Sequence, residues 1–223
     1  MGNNYKVTYN VDLVFCIDST GSMGSIIELV KNNALNFYRD LMATMELKHK
    51  VISQLRIKII SFRDYIADGE NAMLNTDFFL LPEQSDEFAE VVNSIEADGG
   101  GDDPEDGLEA LAYAIRSKWT TEGVKKRQVI VVWTDDATHD LGFGKAATNY
   151  PTKMAKDFNE LTSWWDTYMD KQAKRLVLYA PELPSWNLIT NTWDNVITFH
   201  SKAGEGLKET TYNEILSTIA QTI

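Results

Sequence analysis

The sequence predicts an α/β fold: a doubly wound, mostly parallel central sheet with one short antiparallel edge strand and helices on both faces. Three observations carry this. Residues 11–17 (VDLVFCI) and 128–134 (QVIVVWT) are near-continuous apolar runs, the pattern of strands buried on both faces. The first run is followed by apolar residues spaced three and four apart, the period of an amphipathic helix. Strand and helix patterns then alternate to the end of the chain, which makes βαβ units and a parallel sheet.

Taken in order, the strand at 11–17 ends in Asp18, and Met23, Ile26, Ile27, Val30, Ala34, Phe37, Leu41 and Met45 mark the long helix after it. Residues 55–62 (LRIKIISF) form a second strand, and 77–81, closed by Pro82, form a short edge or hairpin strand. Residues 86–97 read as a helix. Gly99, Gly100 and Gly101 make a turn before another helix, which opens at Pro104. After the strand at 128–134 come a helix at 151–169, strands at 175–180 and 196–199, and a closing helix at 207–223. No repeat or linker interrupts this order, so residues 1–223 read as one domain with its core from about residue 11.

Composition narrows the function. A 43% hydrophobic content supports a sizeable core and excludes disorder. The net charge of −12 argues against nucleic acid and anionic membrane as partners and favours divalent cations and basic surfaces. Cys16 stands alone inside an apolar run, which excludes an internal disulfide and suits a small buried hydrophobe. No stretch is long and apolar enough for a membrane span or a signal peptide, so the expected location is cytoplasmic.

Chemistry concentrates in three polar clusters: Asp18-Ser19-Thr20-Gly21-Ser22, the run from Gly99 through Asp102, Asp103 and Pro104 to Glu105 and Asp106, and Thr134-Asp135-Asp136. In an open α/β sheet the carboxyl ends of the strands share one edge, so the first and third clusters converge there if their strands are neighbours. They bring oxygen ligands without imidazole or thiolate, a set suited to Mg²⁺, Mn²⁺ or Ca²⁺. Helix capping accounts for any one cluster. It does not account for several carboxylates on one sheet edge, where a cation relieves the repulsion.

The segment from Val14 to Met23 resembles the opening of a von Willebrand factor type A domain, whose metal-ion-dependent adhesion site begins Asp-x-Ser/Thr-x-Ser. Ser61-Phe62-Arg63-Asp64-Tyr65, the Gly-Gly-Gly-Asp-x-Pro-Glu run ending at Glu105, and Val131-Val132-Trp133-Thr134-Asp135 resemble further signatures of an intracellular-type branch, in the same order. The resemblance implies one divalent ion, Mg²⁺ or else Mn²⁺ or Ca²⁺, held by Asp18, Thr20, Ser22, Asp102 and Asp135, with Asp103 as the alternative if the glycine loop slips by one residue. It implies metal-dependent protein binding without catalysis, water or a partner's acidic side chain completing the shell. Asp102 stands where the family usually has a neutral threonine. The added charge raises affinity for the cation and makes the bound ion less electrophilic toward a partner carboxylate.

A Mg²⁺- or Mn²⁺-dependent phosphohydrolase using the same carboxylates is the competing reading, with His139 and Lys145 as its nearby groups. His139 otherwise reads as a solvated loop residue. Arg63 and Asp64 form either a pair bracing the loops or a surface pair. The long connection at 137–150 reads as a binding loop. Trp164 and Trp165 cannot both occupy the centre of one helical stripe, so one of them packs under a neighbouring loop or meets a partner.

Overall fold

The computed structural model describes residues 7–99 and 104–223. Its sheet comprises β1 (Val7–Asp18), β2 (Lys50–Phe62), β3 (Met73–Asn75), β4 (Phe79–Leu81), β5 (Lys126–Trp133), β6 (Lys174–Pro181) and β7 (Val196–Ser201). The order is β3-β2-β1-β5-β6-β7, with β4 also on β2. All pairs are parallel except β3 and β4 against β2, so the antiparallel edge is divided into two short segments. The helices are α1 (Gly24–Leu47), α2 (Tyr65–Asp68), α3 (Ser85–Ser94), α4 (Gly107–Ile115), α5 (Phe158–Tyr168), α6 (Pro184–Thr192) and α7 (Tyr212–Thr222). Among the described residues, no helix is long and apolar enough to cross a membrane.

The two-residue period of each central strand divides the core into two layers. Val11, Leu13, Phe15 and Ile17 of β1 face α1, α3 and α7, while Val14 and Cys16 face the α4, α5 and α6 side. β5 repeats the division with Val129, Val131 and Trp133 on one face and Ile130 and Val132 on the other. Each such side chain contributes roughly 1.5–3 kcal/mol by leaving water. Cys16 is fully buried, its sulfur facing the Ala110 carbonyl, and burial pushes the thiol up.

Several boundaries differ from the sequence expectation for identifiable reasons. α4 starts at Gly107, not Pro104, because the Glu105 backbone is paired with the chain after β5: its N–H donates to Ala137 and its carbonyl accepts from His139. α5 starts at Phe158, not residue 151, because Asp157 is extended and caps it, accepting from the Glu160 N–H. α7 starts at Tyr212, after a Thr211–Glu214 capping box. The short α2, the strand β3 and α6, whose first residue is Pro184, had no clear periodic signal.

Asp12 is the charged exception inside the apolar first strand. It is fully buried, pairs with Arg56 through two hydrogen bonds of 2.8 and 2.7 Å, and accepts from the Thr120 N–H at 2.6 Å. Asp12→Ala removes the Arg56 pair and leaves the buried Thr120 N–H without its acceptor, while the guanidinium keeps the Lys118 carbonyl, so it is expected to lower unfolding stability by about 2 kcal/mol. Urea unfolding checks this: the midpoint should fall with an unchanged slope, and an unchanged midpoint would mean that the pair contributes nothing.

Candidate metal centre

β1 lies between β2 and β5, and the order of connection reverses between β1 and β5. Asp18 ends β1, and Thr134 and Asp135 follow β5, so both loops meet at this switch point. Asp18 is fully buried. One carboxylate oxygen accepts from the Thr20 N–H at 3.0 Å and the Thr20 hydroxyl at 2.7 Å, and the other accepts from the Thr134 hydroxyl at 2.8 Å. Ser22 donates to Asp135 at 2.8 Å, and the Thr20 and Ser22 hydroxyls are 3.5 Å apart. Asp18, Thr20, Ser22 and Asp135 are therefore together. No side-chain cap is made at the start of α1 or of the helical turn before it, so capping does not explain the first loop.

The other oxygen of Asp135 accepts from the Gly206 N–H at 2.7 Å. Gly206 has φ +66°, and a Cβ there would overlap the Ser22 carbonyl. The loop before α7 thus closes on the first and third loops through a residue that has to be glycine. Arg63 braces the first loop from the other side, donating to the Ser19 carbonyl at 3.1 Å and the Glu96 carbonyl at 2.8 Å. Arg63 and Asp64 do not pair with one another; their partners lie elsewhere.

Asp102 and its alternative Asp103 lie outside the described residues. The second loop nevertheless supplies Glu105, which sequence reasoning did not single out as a ligand. It is 1% exposed, lines a depression of about 500 Å³ with Thr20, Ser22 and Asp136, and has one carboxyl oxygen without a hydrogen-bond partner among the described residues. Burial first, then Asp18, Asp68, Asp64 and Asp136, pushes its carboxyl up to about 9. Burial also pushes Asp18 up to about 6, against the hydrogen bonds from Thr20 and Thr134. The available signal was its position as the closing residue of the glycine-loop motif.

A second acidic layer holds the neighbouring loop. Asp64 caps α2 and meets His139 Nε2 at 2.7 Å, and the His139 ring stacks on Phe143 at 3.8 Å. His139 is thus 8% exposed rather than solvated, because this pair and the stacked ring fold it under the loop. Asp106 accepts from the Tyr65 N–H, and Glu109 accepts from the Gly142 N–H and the Tyr150 hydroxyl, each at 2.7 or 2.8 Å. Burial pushes Asp106 up to about 7 and also raises Glu109.

The donors that converge are hard oxygens, and Glu105, an acid with one unpartnered buried oxygen, lines the same depression, so the residues present fit a hard divalent cation. Among the described residues, no three acidic, histidine or cysteine side chains form a ready cage. Two of the donors here are hydroxyls.

The model of the von Willebrand factor type A domain matches residues 12–160. The chain belongs to this family. The alpha-protein kinase vwkA of Dictyostelium discoideum is 28% identical to this vWA domain over 141 residues, 63% of the chain and 21% of the kinase. Two crystal structures of the pilus adhesin SpaC from Lactobacillus rhamnosus GG, one in an open conformation, share the fold at a TM-score of 0.55 and 12% identity. Each covers 95% of this chain and 30% of the adhesin, so the vWA domain spans only a fifth to a third of these relatives.

Four buried acids of the vWA domain, Asp18, Glu105, Asp106 and Glu109, are all raised. The folded state keeps protons that the unfolded chain releases near pH 4. Their contribution to stability is therefore fullest at low pH and is lost as pH rises toward the raised values. Metal-free protein should melt at a lower temperature at pH 8 than at pH 5.5. Circular dichroism melts in a chelating buffer measure this, and a flat or rising trend would contradict it.

Proposed function

We propose that this vWA domain binds one divalent cation, Mg²⁺ or else Mn²⁺ or Ca²⁺, and uses it to engage a protein partner. The observation that carries the reading is Glu105, which keeps one buried oxygen without a hydrogen-bond partner among the described residues and lines the same depression as Thr20 and Ser22. Asp18, Thr20, Ser22 and Asp135 would hold the ion with Glu105, and Asp102 is the further ligand expected from the sequence. Once bound, the ion supplies the positive charge that an acidic side chain of the partner can meet.

The chain's own residues do the positioning. Thr134 and Thr20 orient Asp18 from two loops, and Gly206 orients Asp135. Phe143 is 51% exposed and is held by its stack on His139, which gives the partner an apolar contact on the loop after β5. With Asp102 and Glu105 added to Asp18 and Asp135, the ion is over-neutralised, so loop contacts carry more of the partner affinity than the metal–carboxylate contact does. The relatives support a binding role in outline: SpaC is a pilus adhesin.

Millimolar Mg²⁺ should raise the melting temperature at pH 8, because a ligand of the native state alone stabilises it, and Asp18→Ala should remove the increment. An unchanged melt for wild type would sink the metal reading. Asp102→Thr should loosen the metal while improving the binding of an acidic peptide at saturating Mg²⁺. If neither changes, Asp102 takes no part in the centre.

A further inference from the structure

A cleft of about 280 Å³ opens between the antiparallel edge of the sheet and the α4–α5 side, and it shares no lining residue with the metal centre. Its walls carry four cations, Lys58, Arg116, Lys118 and Lys153, against one carboxylate, Asp77. In a chain of net charge −12, this is a local reversal of sign.

Lys58 is the most informative of the four. It sits on β2 with the parity of Ile60 and Phe62, which are core residues of the α4 side, and it is only 8% exposed. Its ammonium has three donors, and one of them goes to the Thr76 carbonyl. It forms no ion pair among the described residues. Burial lowers its affinity for the proton, and Asp77 opposes that only in part. A lysine buried on these terms still has donors to spend on an anion. Arg116 is held in place: its guanidinium lies 4.9 Å from the Trp164 ring centroid and donates to the Lys153 carbonyl at 3.0 Å, leaving other N–H groups free. Lys118 and Lys153 are exposed and form no ion pair among the described residues. Phe78, Tyr113, Met154 and Trp164 supply an apolar wall. Trp165, in contrast, is fully buried in the core, so the adjacent tryptophans divide between core and cleft.

We propose that this cleft binds a phosphate ester of a flat ring, the phosphate held by Lys58 and Arg116 and the ring packed against the Phe78 and Trp164 side. A dianionic phosphate matches a wall of four cations and one carboxylate better than a single carboxylate does, and a guanidinium pairs with it through two N–H groups. The volume lies just under the range of drug-sized pockets, which suits a single ring with its phosphate. A nucleoside monophosphate and a phosphotyrosine side chain share this chemistry.

The test is calorimetric titration with AMP, phenyl phosphate, inorganic phosphate and adenosine, with tryptophan fluorescence as a second readout. AMP, phenyl phosphate or both should bind saturably, and about tenfold or more tighter than inorganic phosphate or adenosine. Lys118→Glu with Lys153→Glu, both on the exposed rim, should weaken that binding about tenfold and leave the Mg²⁺-induced melting shift unchanged. Lys58→Met, checked for folding by near-ultraviolet circular dichroism, should abolish it. Preference for AMP identifies a nucleotide as the source, and preference for phenyl phosphate a phosphotyrosine; either supports the proposal. Absence of saturable binding at millimolar ring phosphate, equal affinity for inorganic phosphate, or an affinity that survives Lys58→Met in the folded protein overturns it. Because the metal shift is followed in the same variants, failure here is separable from failure of the metal reading.

Discussion

The buried carboxylate of Asp18 is the constraint around which the rest of the site is arranged. It ends the central strand and is held by hydroxyls from two loops that only the sheet topology brings together, Thr20 after β1 and Thr134 after β5. Placing β2 on one side of β1 and β5 on the other opens the crevice, and Asp18 occupies its floor. The loop before α7 then closes on Asp135 and Ser22 through Gly206, and Arg63 ties the first loop to the segment after α3. Four separate stretches of chain are thus fastened to one short turn.

That arrangement gathers carboxylates more densely than the fold alone requires. Glu105 faces Asp18, Asp64, Asp68 and Asp136, and Asp106 and Glu109 form a second layer below the loop after β5. Buried acids that lack a countercharge favour their protonated forms and cost stability when they ionise. The second layer is offset in part by hydrogen bonds from Tyr65, Gly142 and Tyr150 and by the His139–Asp64 contact, although Asp106 and Glu109 each also keep one buried oxygen without a hydrogen-bond partner among the described residues. Glu105 has no equivalent side-chain arrangement among the described residues, and a divalent cation is the group that relieves it most simply.

Most of the architecture was legible because the central strands are apolar on both faces and α1 keeps its period for 24 residues. The same periodicity misled at the starts of α4, α5 and α7. There the deciding signals were local: the pairing of Glu105 with the chain beyond β5, the Asp157 cap, and the Thr211–Glu214 capping box. Asp18, Thr20, Ser22 and Asp135 were legible because motif spacing and strand ends coincide. His139 was misread because its burial depends on Asp64, 75 residues away, and no local pattern encodes that contact. Glu105 was passed over for the same reason: its significance lies in a tertiary environment of other acids. Lys58 was hidden inside a strand whose alternation marked it as one more polar position.

Calorimetric titration of Mg²⁺ into wild type and Glu105→Gln asks whether the oxygens around Asp18 and Glu105 form a cation site. Wild type should bind one ion per chain, and Glu105→Gln should bind it about tenfold or more weakly with the fold intact. Equal affinity in the two proteins, or no saturable heat for wild type, would contradict such a site.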